Sequence, residues 1–201
     1  MIVDVGLGNV GAVQNILQHI GVECFRSSNF LDLMHCSKVI LPGVGSFDAG
    51  VKALRKNNLF EPLQDLAFRG DTPLLGICLG MQLLLGSSEE GIEEGLCLIR
   101  GSAQRFKITD PKIKVPHMGW NYSIKKRPSC LMNAELKDPR FYFTHSYHAV
   151  CDNPENIVAT TFYGYDFPSI IQHKNVFGVQ FHPEKSHRYG MTLLSEFSKI
   201  I

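Results

Sequence analysis

The sequence predicts an α/β fold in which a mixed, mainly parallel sheet is flanked by helices. In the first half of the chain, short apolar runs alternate with segments of helical period, the pattern of parallel strands joined by crossover helices. The second half is richer in strands and turns, which favours antiparallel additions to the same sheet. Of the 201 residues, 44% are hydrophobic and 19% are charged, as in ordinary globular proteins. This length predicts one domain spanning residues 1–201.

Strands are expected where a short apolar run is bounded by turn residues. In chain order these runs are Ile2–Val5, Val22–Phe25, Val39–Leu41, Leu74–Ile77, Phe141–Thr144, Ile157–Thr161, Ser169–Gln172 and Val176–Phe181. Helices are expected where apolar residues recur with helical period. These segments are Val10–Ile20, Phe47–Lys56, Leu59–Phe68, Leu79–Leu85 and Tyr189–Ile200.

Charge and cysteine usage exclude several classes of protein. The net charge of +1 offers no broad field to recruit nucleic acid or an anionic membrane, so neither partner is expected. The six cysteines contain no C-x-x-C pair, which favours free buried thiols over a disulfide framework. No basic segment followed by a signal-peptide core opens the sequence, and no apolar run is long enough to cross a bilayer. A cytoplasmic location is therefore expected.

The stretch "VDVGLGNVGAVQNIL" contains G-x-G-x-x-G at Gly6, Gly8 and Gly11, between a predicted strand and a predicted helix. A dinucleotide site also needs an acidic residue about 20 residues further on, at the end of the second strand. Glu23 comes too early, inside a predicted strand, and Asp32 falls in a helix-like stretch. Because a tight strand-to-helix turn needs glycine with or without phosphate, the motif predicts a structural turn.

The stretch "PLLGICLGMQLLL" predicts a nucleophile elbow centred on Cys78. An apolar strand runs into Gly76-Ile77-Cys78-Leu79-Gly80, and an apolar helix follows. Glycines flank such a nucleophile because side chains at those positions would collide with neighbouring backbone. At a helix N-terminus the unpaired N–H groups and the helix dipole favour a thiolate. The Leu79 N–H is placed to donate to a developing oxyanion. A buried structural cysteine at a strand end is the alternative.

A general base is predicted in "NVFGVQFHPEKS", where an apolar strand ends in His182-Pro183-Glu184. Pro183 biases His182 away from helical geometry, and residues two apart in extended backbone face the same side. Glu184 could then orient the imidazole while its other nitrogen meets Cys78, as in a catalytic triad. A solvated loop is the alternative for this tripeptide alone.

A second oxyanion donor is predicted in "VILPGVGSF", where a strand ends in Pro42-Gly43-Val44-Gly45. Glycines there allow main-chain N–H groups to turn toward a pocket, and one such donor lowers a barrier by roughly 3–4 kcal/mol. A plain strand-to-helix turn is the alternative.

Together, "PGVGSF", "GICLGMQLL", "PHMGWN", "FTHSYH" and "GVQFHPEKS" resemble the class I (triad) glutamine amidotransferases. The resemblance spans nearly the whole chain and is strongest to the glutaminase subunits of imidazole glycerol phosphate synthases. It implies a flavodoxin-like fold, no cofactor and no metal. It also implies that Cys78 attacks the glutamine side-chain amide, with His182 as base and then acid and Glu184 as its orienter.

The resemblance implies further roles, each for a residue at a matching position. Bound L-glutamine would be held by Gln82, Glu90, His145, Ser146 and Tyr147, the last three chiefly through backbone, and Gly43 and Val44 would complete the oxyanion site. Trp120 and Lys185 would meet the (β/α)8 barrel of a cyclase partner in a heterodimer. Core packing is the alternative for Trp120. In the family, the oxyanion strand can hold its amide turned away until the partner binds.

The pathway remains open at the level of the sequence. The family more often has an aromatic residue after the aspartate of "DVGLGN", and "HSYHAVCDNPENIVATTFYGYDF" and "SHRYGM" resemble a divergent subgroup. The predicted function is a glutaminase that supplies ammonia to histidine biosynthesis. The alternative is a paralogue that supplies ammonia to a nucleotide sugar in surface-polysaccharide synthesis. The remaining hypotheses are a non-catalytic regulatory homologue, another cysteine hydrolase on a similar scaffold, and a dinucleotide oxidoreductase.

Overall fold

The computed structural model describes residues 1–132, 136 and 138–200. Its helices are α1 (Val10–His19), α2 (Phe30–His35), α3 (Phe47–Lys56), α4 (Phe60–Arg69), α5 (Leu79–Leu83) and α6 (His187–Ser198). Its strands are β1 (Ile2–Val3), β2 (Arg26–Ser27), β3 (Val39–Gly43), β4 (Leu74–Cys78), β5 (Ser87–Ser88), β6 (Gly101–Arg105), β7 (His117–Tyr122), β8 (Ile124–Lys125), β9 (Arg140–His145), β10 (Tyr147–Cys151), β11 (Ile157–Tyr163), β12 (Tyr165–His173) and β13 (Val176–Val179).

The main sheet has eight strands in the order β2-β1-β3-β4-β13-β12-β11-β8. The pairs from β2 to β13 are parallel, and those from β13 to β8 are antiparallel. The predicted mixed, mainly parallel sheet is therefore confirmed, including its antiparallel extension by the second half of the chain. Strand β4 lies between β3 and β13, so the ends of these three strands meet at the same edge.

Helices cover both faces of this sheet. On one face, α3 and α4 bury apolar side chains that include Phe47, Val51 and Leu63. On the other face, α1 and α6 bury Leu17, Leu194 and other apolar residues against the same strands. All five predicted helices are present, with ends within two residues of the expected positions. Each could be predicted because a helix that buries one face repeats apolar residues with helical period. None of the helices in the described residues is long and apolar enough to cross a membrane.

Two expectations about strands are wrong. The predicted strand Val22–Phe25 is a connecting segment, and the residues that pair with β1 are those of β2, immediately after it. Val22 and Cys24 pack against the core. Their apolar character is therefore explained by the burial of a connecting segment and not by strand pairing. The predicted strand Phe141–Thr144 forms, as β9, but it pairs with β7 in a separate two-stranded sheet rather than joining the main sheet.

A third sheet, of order β10-β6-β5, and helix α2 were not predicted. Strands β7 and β8 were not predicted either. Strand β6 is polar, with the sequence GSAQR, β5 and β8 have two residues each, and polar residues or glycine interrupt the apolar residues of β7 and β10. Helix α2 has six residues, too few to show a helical period.

The glycine motif near the N-terminus has a structural explanation. Gly8 has a φ of +109°, and a side chain there would lie 3.3 Å from the Cα of Gly43. Gly6 also has a positive φ, of +78°, whereas Gly11 lies inside α1 with no such requirement. The N-terminus of α1 is capped by Asn9, whose side chain accepts a hydrogen bond from the Ala12 N–H. The turn therefore needs Gly8 to pack the backbone against the end of β3, and it needs Gly6 for its positive φ alone.

Candidate active site

Cys78 occupies a sharp turn between β4 and α5. Its φ of 54° and ψ of −108° are unusual for a non-glycine residue, and such a conformation costs about 1–3 kcal/mol. The flanking glycines make the turn possible. A side chain at Gly76 would lie 2.5 Å from the carbonyl oxygen of Gly80, and one at Gly80 would overlap the carbonyl oxygen of Leu41. The backbone geometry is that of the predicted elbow.

Replacement of Gly80 by alanine is expected to lower the free energy of unfolding by about 3 kcal/mol or more. The added methyl group would overlap main-chain atoms of β3, which are held on both sides by sheet hydrogen bonds. Urea denaturation measures the loss. The matched control is Gly11→Ala in α1, where the nearest atom lies 4.0 Å away and the change is expected to be neutral or to stabilise by up to about 1 kcal/mol. Equal losses in both variants would contradict this account of the elbow.

His182 and Glu184 form a buried pair shortly after β13. The expected extended backbone is wrong here, because Pro183–Lys185 form a 3-10 turn, and it is this turn that brings Glu184 beside the ring. His182 Nδ1 lies 2.7 Å from Glu184 Oε1, and both side chains are almost fully buried. Since the carboxylate accepts, Nδ1 carries the proton and the ring orientation is set. His182 Nε2 is buried without a hydrogen-bond partner, as is Glu184 Oε2. The pair therefore holds a free imidazole nitrogen in the cavity that Cys78 also lines.

The pKa of His182 is raised from its ordinary value of 6.5 to about 10. Burial alone would lower it, but interactions with Cys78 and Glu184 favour the charged imidazole and outweigh the burial. At neutral pH the ring is therefore an imidazolium. An imidazolium beside a thiol favours the thiolate, which is the nucleophilic form of cysteine.

A cavity of about 340 Å³ opens above the elbow. It brings together nine of the residues singled out from the sequence: Val44, Cys78, Leu79, Gln82, Glu90, His145, Ser146, Tyr147 and His182. Glu184 lies behind His182, and Gly43 is paired in register with Cys78 across the β3–β4 ladder. Sequence analysis missed Gly45, Pro116 and Thr144, which also line the cavity. Each of the three lies inside a quoted motif, PGVGSF, PHMGWN or FTHSYH, but none was expected to have a role of its own.

Polar groups in the cavity hold fixed positions. Gln82 Nε2 donates to the Tyr147 carbonyl at 3.0 Å, and His145 Nδ1 contacts the same oxygen at 2.7 Å. Glu90 Oε2 accepts from the Phe47 N–H at 2.8 Å, which ties the acidic loop to the first turn of α3. Burial lowers the pKa of His145 well below its usual range, so this ring is neutral. The cavity thus offers one exposed carboxylate, neutral polar groups and the imidazolium.

Trp120 and Lys185 lie on one surface outside the cavity. Trp120 is 46% exposed on β7, which is too exposed for core packing, and its ring stacks on His187 at a centroid distance of 5.4 Å. Tyr142 connects the two residues, because its ring meets Trp120 edge-on at 6.2 Å and carries the Lys185 ammonium at 5.7 Å. Met118 and Tyr122 on the same strand are also exposed. We call this set, Met118, Trp120, Tyr122, Tyr142 and Lys185, the β7 surface.

No three His, Cys, Asp or Glu residues of residues 1–132, 136 and 138–200 come together as metal ligands. The groups around Cys78 are a thiol, an imidazole and a carboxylate, the groups that nucleophilic catalysis by cysteine uses.

A cysteine at a strained strand-to-helix turn, with a buried His–Glu pair at the same edge of a mainly parallel sheet, defines the class of α/β enzymes with a cysteine nucleophile. The family model "Glutamine amidotransferase class-I" matches residues 1–200. The chain belongs to this family, and the resemblance and the enzyme class predicted from the motifs are confirmed.

Curated relatives agree over the full length of the chain. It is 45% identical over 201 residues to "Imidazole glycerol phosphate synthase subunit HisH 2" of Methanococcus maripaludis, covering 98% of each chain. It is 40% identical over 201 residues to the protein of the same name from Pseudomonas aeruginosa, covering 100% of this chain and 99% of the relative. It is 43% identical over 203 residues to "Imidazole glycerol phosphate synthase subunit HisH" of Bdellovibrio bacteriovorus, with 99% and 98% covered.

Solved structures share the fold at low sequence identity. PurLQS from Thermotoga maritima superposes with a TM-score of 0.71 at 18% identity, covering 98% of this chain and 95% of that chain. A glutamine amidotransferase from the same organism superposes with a TM-score of 0.62 at 18% identity, covering 98% and 81%. The fold is that of glutamine amidotransferases.

Proposed function

We propose that this chain is the glutaminase subunit of an imidazole glycerol phosphate synthase, and that Cys78, His182 and Glu184 carry the hydrolysis of L-glutamine. One observation carries the assignment of the residues. Cys78, on a strained elbow, and His182, protonated and oriented by Glu184, line the same cavity. The proposal treats residues 1–201 as one glutaminase domain.

In the first half-reaction, the Cys78 thiolate attacks the side-chain amide carbon of glutamine. The carbonyl oxygen becomes an oxyanion, which the Leu79 N–H and an amide of Gly43 or Val44 would stabilise. His182 Nε2 gives its proton to the leaving nitrogen, so that ammonia departs and a γ-glutamyl thioester remains on Cys78. Because Nε2 has no other hydrogen-bond partner, it is available for this transfer.

In the second half-reaction, water hydrolyses the thioester. Neutral His182 takes a proton from the water, whose oxygen attacks the thioester carbon, and the Cys78 thiolate leaves with the electrons of the carbon–sulfur bond. Glutamate is released and the imidazolium is restored. Glu184 accepts from His182 Nδ1 and stabilises the imidazole whenever it is charged, in both halves.

The polar groups of the cavity fit the amino-acid end of glutamine. Glu90 offers a carboxylate at the cavity mouth for the substrate ammonium. Gln82 and the backbone of His145, Ser146 and Tyr147 offer neutral hydrogen bonds for the remaining polar groups. This combination favours a zwitterionic amino acid over a dianionic substrate, because the described cavity residues add no Lys or Arg.

The partner in this proposal is a cyclase with a (β/α)8 barrel, bound as a heterodimer through the β7 surface. The half-exposed Trp120 supports it, because large aromatic residues at the centre of a patch contribute strongly to association. Complex formation between synthase subunits accords with the names of the curated relatives. The complex would act in the cytoplasm.

Reconstitution with a purified cyclase of this type tests the function. We expect the chain alone to hydrolyse glutamine slowly, and the cyclase to stimulate hydrolysis strongly because it completes the oxyanion site. Glutamine labelled with heavy nitrogen in its side-chain amide should transfer the label to a histidine-pathway ribonucleotide, and not to a nucleotide sugar. Mass spectrometry of the product makes the comparison. Fast hydrolysis without a partner would contradict the coupling, and label in the sugar would reassign the pathway.

Two variants of exposed aromatic residues, one a test and one its control, examine whether the cyclase docks on the β7 surface. Trp120→Ala is expected to weaken the complex by about 2 kcal/mol, roughly 30-fold in Kd. Phe68→Ala should have no effect, because Phe68 is exposed on α4, which packs against α2 and α3 away from the β7 surface. Equal weakening by both would exclude the β7 surface as the docking site.

A further inference from the structure

Gln180 is a fully buried side chain in contact with Cys78, and the motif that precedes His182 did not single it out. It follows β13 directly, and because Val179 pairs with Ile77 in the parallel ladder, Gln180 lies at the same edge of the sheet as Cys78. Its Nε2 lies 3.8 Å from Cys78 Sγ, within the range of a hydrogen bond to sulfur. Its Oε1 lies 3.2 Å from Gln82 Nε2.

The direction of these hydrogen bonds follows from one group that can only accept. The Tyr147 carbonyl oxygen contacts the Gln82 amide at 3.0 Å, so the atom of Gln82 at this position must be the nitrogen. The second hydrogen of that nitrogen then points to Gln180, which must present its oxygen. The nitrogen of Gln180 is therefore left facing sulfur. His145 Nδ1 contacts the same carbonyl oxygen of Tyr147, which helps to fix the position of this acceptor.

We propose that Gln180 is a further residue of the nucleophile site, which donates a hydrogen bond to the Cys78 thiolate and sets the orientation of the Gln82 amide. The proposal rests on the assignment of Cys78 as nucleophile. Through its oxygen, Gln180 acts on Gln82 as a positioning residue. Through its nitrogen, it touches the reacting atom itself.

The donor has a different chemical role from His182. Besides Cys78, the titratable residues that line the cavity are His182, Glu90, His145 and Tyr147, with Glu184 behind His182. His182 must lose its proton to the leaving nitrogen and recover it, so its support of the thiolate changes during turnover. The Gln180 amide keeps its hydrogens at every step, and its donation favours the thiolate over the thiol in the resting enzyme and again as the thioester breaks.

The test compares Gln180→Met with Gln172→Met. Methionine keeps the volume of glutamine and removes both hydrogen bonds. Gln172, on β12, bonds Ser129 and Lys174 rather than any cavity residue, so its variant controls for loss of an amide in the same sheet. Alkylation of Cys78 by iodoacetamide is followed by mass spectrometry across pH, since the exposed Cys97 and Cys130 also react. Glutamine hydrolysis is measured on the complex with its cyclase.

For Gln180→Met we expect the midpoint of the Cys78 alkylation profile to rise by about one pH unit. We expect kcat to fall about 10- to 100-fold, as for loss of a hydrogen bond to a charged group, with a smaller change in KM. Gln172→Met should match the unaltered chain in both measurements. A folded Gln180→Met variant with an unchanged alkylation profile would overturn the proposal.

A second variant covers the case in which methionine prevents folding. Gln180→Asn keeps the amide, but its side chain is one methylene shorter, so the amide no longer reaches the sulfur. We expect the same rise in the midpoint of the Cys78 alkylation profile as for Gln180→Met. Alkylation measures the reactivity of the Cys78 sulfur and does not need turnover. It therefore distinguishes a failure of the Gln180 proposal from a failure of the assignment of Cys78 as nucleophile. If Cys78 were not the nucleophile, Cys78→Ala would retain glutaminase activity whatever the alkylation profile of the Gln180 variants.

Discussion

Replacing Cys78 by alanine is expected to abolish glutamine-dependent synthesis by the complex while leaving ammonia-dependent synthesis by the partner intact. Without the thiolate no thioester forms, and losses on the order of 10⁴-fold or more follow removal of a catalytic nucleophile. Exogenous ammonia bypasses the step, because the cyclase needs only the nitrogen. Product formation with glutamine and with an ammonium salt, measured on the same preparation, gives the comparison.

Cys97→Ala provides a matched control. Cys97 is an exposed thiol with a φ of 53°, nearly that of Cys78, so both substitutions place alanine at a similar positive φ. Cys97 does not line the cavity above the elbow, and its variant should keep glutamine-dependent activity. Survival of glutamine use in Cys78→Ala would exclude the assigned site.

Replacing His182 by asparagine is expected to lower kcat/KM for glutamine by roughly 10³- to 10⁴-fold. The variant loses the proton donor for ammonia, the base for water and the positive charge beside the sulfur. His173→Asn is the control, since His173 is exposed at the end of β12. Steady-state glutaminase assays of the complex measure the effect. Activity near that of the unaltered chain would show that another group moves the proton.

The same variant tests the raised pKa of His182 through stability. In the folded chain this pKa is about 10, and the ordinary value is 6.5, so between these two values the folded state binds more protons than the unfolded state. The stability that His182 contributes is therefore fully present below about pH 6.5 and is lost as the pH rises through about 10. Denaturant unfolding of both chains at several pH values measures it.

We expect the stability advantage of the unaltered chain over His182→Asn to shrink from pH 7 to pH 10. Buried His117, His145 and His148 act in a different window. Burial lowers their pKa values, that of His117 to about 4, so they reduce stability as the pH falls below 6.5. Groups that titrate above pH 7 in both chains, such as Cys151 with its pKa raised by burial to about 11, cancel in the difference between the two chains, which therefore isolates His182. A constant difference across that range would refute the protonated pair.

Much of the fold and the chemistry could be predicted from local patterns. Apolar residues of helical period locate α1, α3, α4, α5 and α6, because each such helix buries one stripe. The elbow around Cys78 was predicted because glycine is the residue that lets a chain turn there without steric overlap. The pair of His182 and Glu184 was predicted from an extended backbone, and the pair forms, although Pro183–Lys185 make a 3-10 turn instead.

Residues outside such patterns were missed or misplaced. The polar strand β6 gave no apolar signal, and the apolar segment Val22–Phe25 gave a false one, because burial and strand pairing need not coincide. The half-exposed position of Trp120 also followed from pairing, since β7 forms a ribbon with β9 rather than joining the main sheet. Periodicity does not distinguish these outcomes.

The sequence by itself determined the class of enzyme, the turn that presents Cys78 and the local pairing of His182 with Glu184, since each depends on residues a few positions apart. Only the tertiary structure decided which distant groups share the cavity. The parallel register that pairs β13 with β4 brings Gln180 and His182 beside Cys78, about a hundred positions away along the chain. Such a register is set by the packing of the whole sheet, so it cannot be predicted from any short stretch of sequence.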